Sequence, residues 1–517
     1  MKSNFLKGGF WLALFSVVAG FSACTDLDDA VEGGLREEVV DNETLPLLQD
    51  PAAGLTATYN QLNGLTDQAG VFAMMEHTTD ELIGPTRGTD WSDFGVWRQL
   101  HSHTWNAVHR DVVNNFNNLS SGYFQATQVI AATSDNSLIS QARFLRAFFM
   151  MYMVDFYGQV PFREATEGGA ILPRIESRAD ATQMVIDDLD FAIANLPDFT
   201  QGDIGTASKQ AAEALLMKVL LNKGVWTAAD PAGPYDFNRA DMDRIIALAA
   251  SIDGSGFFEY EPTGEYFQIF SPTNSTDSRE PIFGIVNETG NTRGNTRNRH
   301  YMTMHYNQNP SGWNGFTTLS GFYNKWDQDD TRFGAEYPGV TEVSGLRAGF
   351  LEGQQFNENG EALTDRAGDP LIFTPEVDLF YSTEREGVRV IKYVPDYDNV
   401  DNPGNDYIFL RYADVKLMEA EAQLRAGNAG AATTIVNELR QIRGAQPLGT
   451  VDEMTMLDER GFELYWEGWR RQDQIRFGTF LGTWAQKPDA SDNSKLLFPI
   501  PDVQLAANPN LVQNPGY

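Results

Sequence analysis

The sequence predicts a mainly α-helical protein built from tetratricopeptide-type helix pairs, with a loop-rich, β-poor face set beside them. Three observations carry that expectation. Apolar residues recur at helical spacing at both ends of the chain. The stretch between them, roughly 254 to 406, is rich in Gly, Asn, Asp, Thr and Pro. Near the C-terminus two short amphipathic helices flank a glycine turn, which is one unit of a helical-repeat array.

At the N-terminus, Lys2 and Lys7 form a basic segment, and Gly9 to Gly20 is an apolar run too short for a comfortable membrane span. Phe21, Ser22, Ala23 and Cys24 follow. Small residues ahead of a lone cysteine form the pattern that lipoprotein signal peptidase cuts, with the thiol as acyl acceptor; Phe21 stands where Leu is usual. Residues 1–23 are therefore read as a signal peptide and Cys24 as the lipidation site. Cys24 is the only cysteine of 517 residues, which excludes internal disulfides and cysteine-based metal sites.

Removing residues 1–23 leaves 517 − 23 = 494 residues with 36 basic and 71 acidic side chains, a net charge of −35. That balance argues against nucleic acid and against electrostatic adsorption to anionic lipid. A hydrophobic content of 42% with 12% aromatics is ample for a large core, so the chain is not a disordered tail.

Leu45 to Leu62 reads as a first helix. Leu138, Ala142, Leu145, Phe149, Tyr152 and Phe156 then mark a second, and Phe144, Phe148 and Met151 make it apolar nearly all round, the mark of a buried helix. Arg143, Arg146 and Asp155 interrupt it, which argues against a membrane span. Asp180 to Leu196 follows, with Asp180 as the expected N-cap, Gln183 as its partner and Pro197 as the stop. Ala212 to Leu220 and Met242 to Ile252 carry the next two stripes. Helix pairs thus lie at both ends of the chain, and the array has to be assembled from distant segments.

In the middle region Ile282 to Val286 reads as a short strand. Loops this long are usually functional. The acidic run Pro395 to Tyr407 suggests an EF-hand beginning at Asp396, but Asp401 stands where that loop requires Gly and Tyr407 where it requires Glu, so an EF-hand is rejected. A looser structural calcium site in this loop is left open; no other cofactor is expected.

The C-terminal unit has Leu410, Leu417, Glu421 and Leu424 on one helix and Ala432, Ile435, Val436, Leu439 and Ile442 on the next, with Gly427 as the left-handed residue between them. A third helix is expected to start after Asp452 and run through Phe477. It would carry Glu459, Glu463 and Glu467 on one face, with Arg470 and Arg471 three and four residues past Glu467. We read this as a charge network pinning the helix to the pair before it. Carboxylates spaced along a single helix do not flank a substrate as an acid/base pair must.

Two aromatic-rich stretches are the candidates for chemistry. The first holds Trp91, Trp97 and Trp105 among Arg87, Asp90, Asp93 and Arg98; the second holds His300, Tyr301, Tyr306, Trp313 and Asn314. Sugars present apolar C–H faces and polar rims, so an oligosaccharide site needs flat aromatic platforms beside Asp, Asn and Arg hydrogen-bonders. The predicted glycan-contacting residues are Arg87, Asp90, Trp91, Trp97, His300, Tyr301, Tyr306, Trp313 and Asn314. His101 and His103 alternate as on a strand, with His109 following, but no spacing fixes a third ligand, so no metal is assigned. Nucleophile-elbow, zincin, P-loop and dinucleotide signatures are absent, and no catalytic residue is assigned.

The strings FLRYADVKLMEAEAQL, ERGFELYWEGWRRQDQIRFG, LLFPIP and the terminal NPNLVQNPGY, together with ARFLRAFFMMYMVDFYGQVPF, resemble the SusD/RagB family of Bacteroidetes surface lipoproteins. The resemblance covers most of the chain and weakens in the middle. It implies a SusD-like fold with a right-handed superhelical helix-pair scaffold, and a glycan site on the face away from the repeats. It divides the chain into residues 1–23, a helical half at 24–253, a loop-rich middle at 254–405 and a helical region at 406–517, the last compact with the rest. It further implies a non-enzymatic protein on the outer face of the outer membrane. Held by its lipid anchor, it would bind a glycan and cap a SusC-like TonB-dependent barrel that imports the ligand. The TDLDDA run after Cys24 resembles the acidic export signal of such lipoproteins. The alternatives within reach of this sequence are a RagB-like peptide binder, a surface glycoside hydrolase and a helical-repeat scaffold that binds only protein.

Lipidation is directly testable. In Cys24→Ala the precursor should carry no acyl group and remain uncleaved or held in the periplasm, as read by radiolabelled fatty acid and by surface protease accessibility. Normal surface display of that variant would refute the lipoprotein assignment.

Overall fold

A computed structural model describes residues 44–290 and 293–517, which belong to one compact unit. Cys24, the acidic run after it and the predicted signal peptide lie outside the described residues. No helix among the described residues is long and apolar enough to cross a membrane.

Ten longer helices carry the architecture: α1 (Pro51–Gln61), α2 (Arg110–Ala132), α3 (Asn136–Tyr157), α4 (Arg178–Asn195), α5 (Lys209–Trp226), α6 (Arg239–Ser255), α7 (Tyr412–Arg425), α8 (Ala429–Ile442), α9 (Glu453–Leu464) and α10 (Arg470–Arg476). From α2 to α8 each packs on the next, and α6 packs directly on α7 although 411 − 255 = 156 residues separate them. The helical array is therefore continuous across a long excursion. That excursion is the loop-rich middle, stitched by two- to five-residue strands, of which Pro281–Ile285 pairs antiparallel with Tyr407–Arg411 and closes it onto the array.

Local chemistry sets the helix boundaries. Asp135, Ser177, Ser208, Asn238 and Asp452 each accept a backbone N–H of the first turn of the following helix, satisfying donors that the helix leaves unpaired. The N-cap of α4 is Ser177, not Asp180; the Ser177 hydroxyl accepts the Asp180 N–H and the helix begins two residues earlier than its apolar stripe. The first helix begins at Pro51 rather than Leu45, behind an Asp50 cap. Gly427 turns α7 into α8 at φ +84°, as its position predicts. The sequence pattern does not mark helix α2, because its Asn- and Ser-rich sequence has low intrinsic propensity; its buried Val112, Phe116, Leu119 and Tyr123 face instead makes it a helix.

Helix α3 is buried on nearly all sides from Phe144 to Tyr157. The charges that interrupt it are neutralised internally. Arg143 and Arg146 reach Asp188 on α4, and Asp155 accepts from Trp226 of α5 (3.0 Å) and from Arg471 (2.6 Å). The C-terminal strings pack on the end of the same helix: Phe498 N–H donates to Phe156 O (2.7 Å), and Asn514 Nδ2 donates to Tyr157 O (3.0 Å).

The expected single helix over Asp452 to Phe477 is two helices. Tyr465 leaves helical geometry, and Trp466 (φ +58°) and Gly468 (φ +86°) take left-handed backbone, so α9 and α10 are joined by a sharp turn. Gly468 N–H donates to the buried Glu76 carboxylate at 2.6 Å, which fixes that turn against the N-terminal half. In consequence Arg470 and Arg471 do not meet Glu467. Arg470 pairs with Asp80 and Glu81, and Arg471 with Asp155.

The charge network itself is present and buried. Glu463 accepts from Arg332 (2.9 Å), Arg411 (2.7 Å) and Arg443 (2.9 Å); Glu459 pairs with Arg332 and Arg440, Glu280 with Arg411 and Arg443, and Glu467 with Arg411 and Lys392. With Asp330 on Arg332, five basic side chains face five acidic ones. Burial alone would raise the Glu463 carboxyl, but the three guanidinium groups outweigh it and hold it well below the usual carboxylate range.

Removing one member of such a cluster leaves the others charged and unpaired in a dry interior. Glu463→Ala should destabilise the protein by about 3 kcal/mol or more, measured as a loss of urea-unfolding midpoint. Glu463→Gln, which keeps part of the hydrogen bonding, should lose less. A change below about 1 kcal/mol in the alanine variant would mean that the network is not what joins these segments.

Candidate functional site

The two aromatic stretches meet although about 200 residues separate them. Residues 301–316 fold back on themselves: Trp313 N–H donates to Tyr301 O (2.6 Å), Asn314 N–H to Met304 O (2.7 Å) and Gly315 N–H to Met302 O (3.0 Å). The Trp91 indole N–H then donates to Trp313 O at 2.8 Å. A Cβ at residue 315 would lie 2.3 Å from the Trp91 ring, so only glycine lets the indole sit there. The Trp91 and Trp313 rings are 6.5 Å apart, and Trp313 stacks on Tyr301 at 5.5 Å and 23°.

Half-buried Trp91, Tyr301, Tyr306 and Trp313 thus form one aromatic shelf with polar groups at its edge. The Tyr306 hydroxyl donates to Asp90 Oδ2 (2.5 Å), and the Arg366 guanidinium lies 3.9 Å above the Tyr306 ring. Arg366 also pairs with Asp90 (3.3 Å) and with Glu384. At the other end Arg297 lies over Tyr301 (5.3 Å), whose hydroxyl donates to Asp401 (3.3 Å). Burial and the Asp90 carboxylate push the Tyr306 phenol up to about 12, so it remains a hydrogen-bond donor at neutral pH. Burial would raise Glu384, but the Arg366 backbone amide and guanidinium outweigh it and hold the carboxyl below its ordinary value.

The remaining predicted residues are not on the surface of this shelf. Trp97 is 2% exposed, wedged against Trp91, His77 and Phe316 with Arg110 over its ring; Trp105 is equally buried and donates to Tyr517 Oη (2.6 Å). His300 is buried beside Tyr301, and burial takes its imidazole down to about 3, so it is neutral. Asn314 is buried and accepts from Arg389 at 2.8 Å. Arg87 is buried too; its guanidinium donates to Gly315 O (3.2 Å) and Thr383 O and braces the shelf from behind. These four predicted contacts (Arg87, Trp97, His300 and Asn314) are corrected to supporting roles, because a tryptophan among polar neighbours reads alike whether it faces the solvent or the core.

The histidines are not on a strand. His101 ends a short helix, His103 has left-handed backbone and His109 caps α2, and each ring nitrogen that is bonded meets a backbone group or Ser491. In the acidic loop, Asp396 spends its oxygens on the Gly404 and Asp398 N–H groups and the Thr289 hydroxyl. Sequence reasoning missed Arg297, Arg366, Glu384 and Asp401, because isolated charges in loop sequence carry no periodicity to mark them.

The shelf offers flat apolar ring faces edged by hydrogen-bonding groups, a surface chemically suited to an amphipathic ligand, beside a helical-repeat array. Residues 279–517 match the model of the SusD family, and residues 48–209 match a second model described as starch-binding associating with outer membrane. The chain is thus similar to SusD-type families over these two stretches. The starch-binding protein SusD of Bacteroides thetaiotaomicron is 25% identical over 422 residues, 73% of this chain and 72% of that protein. Among solved structures, a SusD-like protein from Bacteroides fragilis superposes with a TM-score of 0.69 at 20% identity, covering 90% of this chain and 96% of its own. Surface glycan-binding protein A from Bacteroides thetaiotaomicron, solved with laminarihexaose, gives 0.66 at 18% identity, covering 90% and 98%.

The burial difference gives a direct test. Trp97→Ala should cost about 3–5 kcal/mol of stability, as for a core aromatic truncation. Trp313→Ala, at a half-buried ring, should cost at most about half of that. Urea unfolding of both variants checks the order, and equal losses would place Trp313 in the core.

Proposed function

We propose that this chain is a non-enzymatic, lipid-anchored protein of the outer cell surface that binds a neutral glycan at the Trp91–Trp313–Tyr301–Tyr306 shelf. It would deliver that glycan to a SusC-like TonB-dependent barrel, over which it sits as a lid. The observation that carries the reading is the shelf itself: contiguous half-buried rings for sugar C–H faces, with Asp90, Arg366, Arg297 and Asp401 at the edge for hydroxyl groups. Names of relatives that bind starch or laminarihexaose support the same ligand class.

A neutral ligand follows from charge. Both guanidinium groups at the edge are already paired, Arg297 with Asp401 and Arg366 with Asp90 and Glu384. A uronate or sulfate chain would meet paired cations on a chain of formal charge −33. The acyl group at Cys24 would keep the lid tethered, since each buried CH₂ contributes about 0.8 kcal/mol, and tethering raises its effective concentration at the barrel. A glycosidase is disfavoured because the edge carboxylates Asp90 and Glu384 are bound to the same Arg366 rather than opposed across an open cleft.

Affinity gel electrophoresis tests the reading. Native protein should be retarded by gels containing starch or laminarin and not by alginate, and Trp313→Ala should lose at least about tenfold in affinity, since 1.4 kcal/mol is one decade. Retardation by alginate alone, reducing-sugar release, or binding of peptides but no polysaccharide would each refute it.

A further inference from the structure

Beyond the shelf, three of the four exposed aromatic side chains among the described residues lie near one another, Phe356 being the exception. Phe94 is fully exposed, Tyr381 is 85% exposed and Phe380 is 52% exposed, and all three border the loop that delivers Trp91. Phe94 follows Trp91 by three residues. The segment 379–383 is stitched to the same loop: Thr86 N–H donates to Leu379 O (3.1 Å) and Ser382 N–H donates to Thr86 O (3.0 Å). Arg98 links the two sides, donating to Thr86 Oγ1 (2.6 Å) while its guanidinium lies 5.4 Å from the centre of the Phe380 ring. Behind them buried Arg87 bonds Gly315 O on the shelf side and Thr383 O on the other, so shelf and outer rings hang on one brace.

Two features argue that these rings face a ligand rather than serve packing. Phe94 contributes no buried area to the core, yet it is held in place: Trp91, Asp93 and Phe94 all have left-handed backbone (φ +60°, +32° and +55°). Three non-glycine residues in that region within four positions are disfavoured locally, and such clusters persist mainly at ligand sites. The outer rings also adjoin the shelf along the chain and through hydrogen bonds, so an extended ligand leaving Trp91 meets them next.

We propose that Phe94, Phe380 and Tyr381 form a second aromatic subsite, which takes further units of the same neutral glycan chain bound at the shelf. The protein would then select by length, holding long chains at both subsites and short ones at the shelf alone. This rests on the glycan reading of the shelf. Linking two weak contacts through one chain multiplies their effect without new contacts at either, and each outer ring adds an apolar face for a sugar. Arg98 supplies a donor beside Phe380 for hydroxyl groups.

Isothermal titration with maltotriose, maltoheptaose, laminaritriose and laminarihexaose separates the possibilities. Native protein should bind the longer member of at least one pair at least tenfold more tightly than the shorter. Phe94→Ala/Tyr381→Ala should bind the trisaccharide as native does and lose most of the gain for the longer chain. Both side chains project into solvent, so the variant should keep its native unfolding midpoint. Equal length dependence in the variant and native protein overturns the second subsite while leaving the shelf intact. Loss of transporter co-purification with unchanged length dependence also overturns it, assigning the patch to a protein partner. Native protein that binds none of the four sugars overturns shelf and subsite together, and is distinguishable because the trisaccharides fail as well.

Discussion

The structure depends on the buried carboxylate of Glu463. It is reached from three directions by guanidinium groups on segments far apart in sequence: Arg332 in the middle region, Arg411 at the entry to α7 and Arg443 at the exit of α8. Each of those guanidinium groups also holds a second carboxylate, so the array has equal numbers of both signs and no member lacks a counter-charge. In a dry interior an unpaired charge is strongly disfavoured, so the cluster acts as a registration device: it is satisfied only when strand 407–411, the helical pair, α9 and the excursion have all docked. Such a cluster need not add net stability over an apolar core. Its effect is to make partial docking costly.

This constraint explains how a loop-rich excursion can carry a defined surface. Residues 256–411 contain few long elements, yet the excursion leaves from α6 and returns to α7 at adjacent positions in the helical array. Arg332 anchors its middle and the Pro281–Ile285 strand anchors its start. Smaller devices then position the rings. Gly315 admits the Trp91 indole, Arg87 bonds the carbonyls on both sides of it, and the fold-back of residues 301–316 brings Tyr301 under Trp313. Rigid support matters for stacking ligands, because little ordering cost remains to be met on binding.

Seen electrostatically, the molecule separates its charges by role. Arginines of the charge cluster around Glu463 are buried and paired, while Arg297 and Arg366 at the shelf are paired but exposed, Arg366 at about half of its surface. Exposed pairs of this kind contribute little to stability. The same residue type thus orders the core and edges the aromatic shelf, and burial is what distinguishes the two.

The helical scaffold was legible in the sequence because its signals are local. Apolar spacing marked α3, α5, α6, α7 and α8, Gly427 marked a turn, and the terminal strings carried the family resemblance, since each depends on residues a few positions apart. The rule failed where tertiary contacts override propensity. Helix α2 forms from Asn- and Ser-rich sequence because its apolar face is buried, and α9 and α10 separate at Trp466–Gly468 because Glu76 captures the Gly468 amide. For the candidate site, composition singled out two stretches that the fold brings together, and Trp91, Tyr301, Tyr306 and Trp313 lie half-buried side by side. Which rings face outward was decided by packing: Trp97 and Trp105 differ from Trp91 only in the neighbours that the fold brings to them. Arg366, Glu384, Phe380 and Tyr381 left no trace in the sequence, since solvent exposure and cross-chain pairing at separations of hundreds of residues are properties of the folded chain alone.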